Sequence, residues 1–351
     1  MLPVLGGICG CTKTTLSGGT GGCSQSAVLG SVMSRLAIIA NPQAHRNRLW
    51  PLAAQALRKA APGATFYQAG SVADLARVAA EVQAAGHELV AIAGGDGTIQ
   101  HVVTALDAAC EGKLPLLALL GGGAYDSLAA MGGRGDAEQR LKMLWEALAS
   151  GVPLTGDAVR FGREALRIEE RDCLRVEGAC GFRLGVGIAL RFVEAVYQTG
   201  NPGPWAGFTT LLRAAVSSLL GGPFSRELYR PLPVATFVDG EEWPPLPLYG
   251  LVCSTVPEAG LGLRPFRRAL EQPGFFQVLG LTAGPRAFAL ELPRLLLGMP
   301  ARRDRLLDGV AEKVELRGAP GLPYLLDGEL RTAGKSLIVT LGPRIRVVRA
   351  A

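Results

Sequence analysis

The fold is decided by the stretch Leu89-Val90-Ala91-Ile92-Ala93-Gly94-Gly95-Asp96-Gly97-Thr98, which leads into the periodic segment 99–106. An apolar run that ends in glycines and opens a helix brings backbone N–H groups and the positive helix end to one place, where they can hold phosphate. Asp96 is unusual there, because a carboxylate repels phosphate unless a cation or a donor-rich nucleotide edge lies between them. The stretch therefore predicts a nucleotide site with a metal ion. The simpler alternative is a tight turn in which Asp96 caps the helix.

Composition limits the class of protein. The chain has 351 residues, 48% of them hydrophobic, which is enough for two domains with well-formed cores. The basic residues that give the net charge of +6 are scattered among acidic residues and form no dense basic face. We therefore expect no nucleic-acid partner. A mildly basic surface suits an anionic nucleotide or an anionic membrane equally well. The sequence has no apolar run of membrane-spanning length, so any membrane contact is expected to be peripheral.

The cysteines and the first residues favour a cytoplasmic protein. Seven cysteines without a repeated Cys-x-x-Cys pair predict reduced, mostly buried thiols. Residues 1–34 lack a basic segment before the short apolar run 2–8, which argues against a secretion signal. We expect a flexible leader there, with Met33 as an alternative start. Cys9, Cys11 and Cys23 could be imagined as metal ligands, but the segment around them is rich in Gly, Ser and Thr and has no histidine.

Residues 35–151 alternate short apolar runs with amphipathic segments. This alternation predicts an α/β nucleotide-binding domain with a parallel sheet covered on both faces. The predicted strands are 36–40, 64–68, 89–93 and 115–120, and the predicted helices are 48–60, 72–85, 98–109 and 137–149. Ligands gather at the carboxyl ends of parallel strands. We therefore expect the loops at Asn41-Pro42, 94–98 and 121–126 to meet in one crevice.

Residues 152–340 have a different pattern, with short apolar runs separated by turn residues. This pattern, with Asp239-Gly240 as a hairpin signal, predicts a β-rich domain of antiparallel strands. The predicted strands are 174–181, 234–238, 248–254, 275–281, 313–316, 336–340 and 344–348. Two apolar helical segments, 205–220 and 285–298, are expected to pack against a sheet, with a lipid pocket or a membrane surface as the alternative. Residues 341–351 form a C-terminal segment that could return to the first domain.

The last strong motif is Asp327-Gly328-Glu329, inside the apolar segment 323–330. Two acids around a glycine project a compact negative group from a turn. An ordinary hairpin is the alternative, because Asp239-Gly240-Glu241 repeats the same letters.

Taken in order, these pieces resemble the diacylglycerol kinase catalytic-domain family, which includes bacterial diacylglycerol kinases, sphingosine kinases and ceramide kinases. Asn41-Pro42 is similar to the family's first-strand Asn-Pro, residues 94–98 match its Gly-Gly-Asp-Gly-Thr signature, and residues 327–329 match its Asp-Gly-Glu. Weaker likenesses lie at 185–187 and 260–265. The resemblance covers about residues 35–349 and implies a Rossmann-like α/β domain, as in NAD kinases and diacylglycerol kinases, followed by an antiparallel β-sandwich.

The resemblance also implies an activity: ATP-dependent, Mg²⁺-assisted phosphorylation of a lipid hydroxyl in the cleft between the domains. It implies that Asp327 is the general base, that Glu329 supports the base or the metal, and that Asp96 lies on the metal side. The nucleotide would contact Asn41, Gly94, Gly95, Asp96, Gly97, Thr98, Gly122, Gly123 and Asp126. The lipid could be diacylglycerol, a sphingoid base or a ceramide. The expected partners are nucleotide, lipid, a membrane surface touched from the cytoplasm, and a possible second copy in a homodimer.

Two departures from the family's pattern lie beside the signature. Gln100-His101 stands where the family usually has Asn-Glu, and Gly123-Ala124-Tyr125 stands where it usually has Thr-x-Asn. His101 could be solvated, could bond to a nearby acid or could change the metal preference. These departures leave nucleotide specificity and activity open. Two further functions therefore stay in view, a non-catalytic relative that binds nucleotide or lipid and an NAD kinase, which shares the glycine signature.

Overall fold

The computed structural model describes residues 35–44, 52–123, 126–150, 159–161, 164–201, 203–259, 264–297, 299, 302 and 306–350. The expected leader with Cys9, Cys11 and Cys23, the start of the predicted helix 48–60, and Ala124-Tyr125 lie outside the described residues. In the ranges given, the chain forms two large sheets flanked by helices.

The first part of the chain forms the expected parallel sheet, with strand order β2-β1-β3-β4. Every residue of β1, β3 and β4 is buried, as a strand covered on both faces requires. Helices α2 and α3 cover one face, and α1 and α4 cover the other. The elements are β1 (Leu36–Ala40), α1 (Leu52–Ala60), β2 (Thr65–Gln68), α2 (Val72–Ala84), β3 (Leu89–Ala93), α3 (Asp96–Ala109), β4 (Leu116–Leu119), a 3₁₀ helix (Ala129–Gly132) and α4 (Ala137–Ala149).

The second part is β-rich, with three helices between β8 and β9 and one after β12. The elements are β5 (Val159–Phe161), β6 (Glu164–Val176), β7 (Ala179–Gly181), β8 (Arg183–Gly187), α5 (Ile188–Tyr197), α6 (Pro204–Leu220), α7 (Pro223–Leu228), β9 (Ala235–Val238), β10 (Glu241–Glu242), β11 (Gly250–Ser254), β12 (Phe276–Leu281), α8 (Pro285–Leu296), β13 (Leu306–Ala311), β14 (Lys313–Arg317), β15 (Pro323–Leu326), β16 (Glu329–Thr332) and β17 (Leu337–Ala350).

The second sheet is antiparallel, with strand order β13-β12-β11-β8-β15-β16. It packs against an antiparallel extension of the first sheet, and the apolar side chains of both form one core. The predicted fold class, a parallel α/β domain followed by an antiparallel β domain, is confirmed.

Strand β17 belongs to both parts of the molecule. Its first half pairs antiparallel with β14, and its second half pairs parallel with β4 through Val347 and Val348. Strand β6 pairs with β17 along most of its length. One sheet of 11 strands therefore runs through both parts of the chain. The domain boundaries at 151 and 340 stay predictions.

The structure corrects several predicted elements. Segments 336–340 and 344–348 belong to one strand, β17, with a register shift between Leu341 and Arg344. The predicted strand 174–181 is a hairpin, because Glu177 and Gly178 adopt positive φ and turn the chain between β6 and β7. Helix α3 begins at Asp96, two residues before the prediction. The apolar pattern predicted neither α5 nor α7, because short apolar segments do not distinguish a helix from a strand. Only the likeness at 185–187, to a glycine segment that precedes a helix in the family, implied α5.

None of the helices in the described ranges is long and apolar enough to cross a membrane.

Strand β17 offers a test of the shared sheet. Ile345 is fully buried in its second half, whereas Ile338 in its first half is 39% exposed. We expect Ile345→Ala to lower the free energy of unfolding by about 2–5 kcal/mol and Ile338→Ala by less than about 1 kcal/mol, measured by urea denaturation. A loss for Ile345→Ala as small as that for Ile338→Ala would show that the second half of β17 is not held in the core.

Candidate active site

Two glycine loops meet at the carboxyl ends of β3 and β4. A Cβ atom on Gly95 would lie 2.9 Å from the Cα atom of Gly123, and one on Gly123 would lie 2.6 Å from the Cα atom of Gly95. Backbone therefore packs on backbone here, and no other residue type fits. Asp126 shapes the second loop, since its Oδ1 accepts the N–H groups of Gly122 at 3.0 Å and Gly123 at 2.6 Å. Those two donors are thus engaged within the loop.

The first turn of α3 carries the anion-binding features that the signature predicts. Gly95 is the N-cap and has no side chain to accept the N–H groups of that turn, so these donors and the positive helix end face the crevice. Thr98 packs on Gly94, where a Cβ atom would lie 2.5 Å from the Thr98 Cβ. Asn41 Nδ2 donates to Thr98 Oγ1 at 2.9 Å, which fixes the loop after β1 against α3.

Asp96 does not cap its own helix, contrary to the simpler alternative. Its carboxylate accepts the backbone N–H groups of Ser127 at 3.1 Å and Leu128 at 3.0 Å, together with the Ser127 hydroxyl. Its Oδ2 also lies 3.5 Å from Nη2 of Arg183. Asp96 therefore holds the loop after β4 against α3 and pairs with a cation from the second domain.

Arg183, the first residue of β8, connects the two carboxylates at the centre of the site. Its Nε lies 3.8 Å from Asp327 Oδ1, and its Nη2 donates to Ser127 Oγ at 2.5 Å. Its Nη1 donates to the carbonyl of Glu258 at 3.2 Å. Arg183 is not among the residues predicted from the sequence. The available signal was an arginine inside an otherwise apolar run, between Phe182 and Leu184.

Asp327 lies in the two-residue turn between β15 and β16. Both Asp327 and Gly328 have positive φ, +48° and +92°, as this hairpin type requires. Its Oδ2 accepts the N–H of Phe182 at 2.8 Å, and its Oδ1 accepts the N–H of Arg183 at 2.9 Å. The side chain has no solvent exposure. Burial raises the pKa of Asp327 to about 6, although Arg183 and the two N–H groups act in the opposite direction.

Asp239 provides an internal comparison for this turn. Asp239 and Gly240 have φ values of +51° and +89°, and Asp239 Oδ1 accepts the N–H groups of Glu312 at 2.9 Å and Lys313 at 2.8 Å. The ordinary-hairpin alternative is therefore right about the backbone of both turns. The difference is the environment, since Asp239 is exposed, whereas Asp327 is buried beside Arg183 and Asp96.

Glu329 lies over the first turn of α3. A Cβ atom on Gly97 would be 3.0 Å from its Oε1, and the same oxygen bonds to His101 Nε2 at 2.7 Å. Its Oε2 accepts from Arg331 at 3.2 Å. Burial raises the pKa of Glu329, but the bonds from His101 and Arg331 outweigh it, so the pKa is lowered. Of the roles considered for His101, the structure shows the bond to an acid.

These contacts bear on the expected magnesium ion. Asp96 and Glu329, the expected ligands, are both paired with protein donors and cations. Within the described ranges, no group of three His, Cys, Asp or Glu residues is placed to hold a metal. The donor set present here does not fit a metal ion held by the protein. Metal binding by these two residues stays a prediction.

The structure brings two of the predicted residues, Asp96 of the first domain and Asp327 of the second, together at Arg183. Glycine loops at the carboxyl ends of parallel strands, opening onto a helix N-terminus, are typical of sites that bind phosphate groups. Residues 35–159 match the family model described as "Diacylglycerol kinase catalytic domain". The match covers about a third of the chain, and it confirms the resemblance over that segment.

Solved structures share the fold over most of the chain. A diacylglycerol kinase from Bacillus anthracis str. Sterne aligns with a TM-score of 0.59 and 13% identity, over 90% of this chain and 97% of that one. Another structure from this organism, whose assignment as a diacylglycerol kinase is provisional, aligns with a TM-score of 0.61 and 13% identity, over 90% and 96% of the two chains. No curated protein matches the sequence significantly. At these identities, the likeness shows the fold.

The contact between the glycine loops can be tested with a single methyl group. Gly95 has φ −79°, which alanine adopts readily, so Gly95→Ala changes only the packing against Gly123. We expect it to lower the free energy of unfolding by about 1–3 kcal/mol and to weaken ATP binding, measured by calorimetry. Gly203, the N-cap of α6, is a matched control because its Cβ atom would meet nothing within 4 Å. Equal effects of Gly95→Ala and Gly203→Ala would contradict the tight contact.

Proposed function

We propose that this protein is an ATP-dependent lipid kinase that phosphorylates a lipid hydroxyl in the cleft between its domains. One observation carries the proposal: the uncapped first turn of α3 faces a buried carboxylate from the other domain, Asp327, and Arg183 lies between them. A phosphate cradle alone would support nucleotide binding. An acid of raised pKa beside it supports proton transfer from an acceptor.

In the proposed reaction, the ATP phosphates contact the first turn of α3. The lipid hydroxyl oxygen forms a bond to the γ-phosphorus, while the bond from that phosphorus to the bridging oxygen breaks and ADP leaves. Asp327 takes the hydroxyl proton. Arg183 stabilises the negative charge on the transferred group, because phosphoryl transfer depends mainly on positioning and charge neutralisation. Glu329, held by His101 and Arg331, orients the turn that carries Asp327.

The burial of Asp327 limits how the acceptor hydroxyl can reach the proposed base. Asp327 is fully covered, and Arg183 is only 16% exposed. Access of a hydroxyl to the carboxylate therefore needs a local movement, and we propose that the Arg183 guanidinium is the group that moves. A triphosphate at the helix end would attract this guanidinium away from Asp327, since its several charged oxygens add a further anionic partner to the two carboxylates. Nucleotide binding would thus precede access of the acceptor to Asp327.

A second candidate is a non-catalytic relative that binds nucleotide or lipid. The engagement of Asp96 and Glu329 by protein donors favours it, because these bonds use carboxylate oxygens that would otherwise be available to a catalytic metal ion. The two candidates share the binding site and differ only in turnover.

Purified protein, incubated with Mg²⁺ and ATP or GTP labelled on the γ-phosphate, tests the proposal directly. The acceptors are diacylglycerol, sphingosine and ceramide in mixed micelles, and NAD in solution. We expect labelled lipid phosphate with one of the lipids and ATP as the donor. Label in NAD alone would contradict the proposal in favour of an NAD kinase. Nucleotide binding without any labelled product would favour the non-catalytic relative.

The pKa of Asp327 predicts the pH dependence of the reaction. A general base acts in its ionised form, so kcat/KM for the lipid should rise between pH 5 and pH 7 with an apparent pKa of about 6. A flat profile over this range would remove Asp327 from the role of base.

The raised pKa of Asp327 also predicts how the stability of the protein depends on pH. Stability should change with pH in the direction opposite to kcat/KM. The folded protein binds a proton at Asp327 more tightly than the unfolded chain, whose aspartate has the ordinary value of 3.8. The contribution of Asp327 to stability therefore rises as the pH falls from about 6 towards 4. Urea denaturation of the wild type and of Asp327→Asn across this range isolates that contribution as the difference between the two pH dependences. Parallel curves would contradict the raised pKa.

A further inference from the structure

Helix α6 presents its large apolar residues to solvent. Six of its side chains are between 45% and 77% exposed, and their spacing of three or four residues places most of them on one face. They are Trp205, Phe208, Leu212, Val216, Leu219 and Leu220. Single exposed apolar residues are ordinary on protein surfaces, but a continuous row of six marks an interaction surface.

The opposite face of α6 is small and polar. Thr210 and Ser218 are buried there. Ser217 Oγ accepts the N–H of Ser225 at 2.9 Å, and the hydroxyl of Ser218 bonds to Tyr229. The usual arrangement of a surface helix, with apolar residues inward and polar residues outward, is therefore reversed. The inward hydroxyl bonds fix this orientation, since rotating the helix would leave Ser217 and Ser218 without these partners.

Helix α8 extends the apolar row. It packs against α6, and it adds Leu290, with Leu297 and Met299 just after its end, all exposed. We call the six residues of α6 together with these three the apolar face.

The charges beside the apolar face are positive. Arg213 is exposed on α6, with its guanidinium 4.3 Å from the centre of the Phe224 ring, and Arg286 is exposed on α8. Helix α6 contains no acidic residue. The acid of α8, Glu291, is fully buried and paired with Arg294. The surface thus combines exposed apolar side chains with arginines.

The apolar face is connected to the site through α5. Helix α5 packs against β8 and β15, the strands that begin with Arg183 and end just before Asp327. Helix α6 packs in turn against α5. A partner that binds the apolar face is therefore connected, through α6 and α5, to the strands that carry Arg183 and Asp327.

We propose that the apolar face docks on the surface of a bilayer that contains anionic lipids. A helix with exposed leucines and aromatic residues lies in the membrane interface with those side chains at the acyl boundary. The stacked pair Trp205–Phe208, with ring centres 5.8 Å apart, suits the headgroup level, where aromatic side chains concentrate. Arg213 and Arg286 would contact the anionic headgroups. A protein partner would need a complementary acidic and apolar surface, whereas a bilayer supplies both features in one plane.

The experiment measures sedimentation of the full chain with vesicles of phosphatidylcholine, alone or mixed with phosphatidylglycerol. We expect binding to the mixed vesicles. The double variant Leu212→Ser/Val216→Ser should reduce the affinity at least tenfold, because two exposed apolar side chains no longer enter the bilayer. Arg213→Gln should reduce affinity for the mixed vesicles about fivefold and leave binding to pure phosphatidylcholine unchanged. Val72→Ser, at an equally exposed apolar residue of α2, is the matched control and should bind as the wild type does.

The docking surface would be overturned if the wild type did not sediment with the mixed vesicles, and two further outcomes would also overturn it. The first is unchanged vesicle binding by the double variant, with its fold verified by circular dichroism. The second is a wild-type dimer, seen by analytical ultracentrifugation, that the double variant converts to monomers, because a second copy would then cover the apolar face. The inference stands apart from the proposed function. Asp327→Asn should still bind vesicles, and a wild type that binds vesicles but phosphorylates no lipid would contradict only the kinase.

Discussion

The site depends on one interaction, the placement of the Arg183 guanidinium between Asp96 of the first domain and Asp327 of the second. Asp327 is completely buried, and the Asp96 charge nearby raises its pKa further. Removing the cation would leave the buried carboxylate with only its two backbone N–H donors, and breaking a buried ion pair in this way costs about 3–5 kcal/mol. Arg183 also bonds to Ser127, whose loop is held by Asp96. A single side chain therefore joins α3, the loop after β4 and the β15–β16 turn.

The sequence predicts the parallel sheet and the crevice well, because both follow from local rules. Buried strands that alternate with helices leave little choice of topology, and the glycines at 94, 95, 122 and 123 indicate where backbones approach closely. Arg183 could not be predicted in the same way. Its role depends on a long-range pairing of β8 with β15, and no local spacing records that pairing. The same holds for β17, since its pairing with β4 joins residues about 230 positions apart.

One departure from the family's pattern, His101, has a physical account in the structure. With His101 in place of the usual acid, Glu329 faces a hydrogen-bond partner at 2.7 Å and not a like charge. This pairing, together with Arg331, keeps Glu329 ionised and oriented. It also occupies an oxygen that a metal ion would use. The site thus neutralises its acids with protein cations, which the signature alone could not reveal.

The central claim is that burial beside Arg183 makes Asp327 a base, while the similar turn at Asp239 is only a turn. The most direct measurement is turnover of the lipid by Asp327→Asn and Asp239→Asn, with ATP binding followed in parallel by calorimetry. The account predicts a loss of about 10²–10⁴-fold in kcat for Asp327→Asn with ATP binding retained, and turnover within about twofold of wild type for Asp239→Asn, as expected of a surface substitution. Equal turnover in the two variants would contradict it.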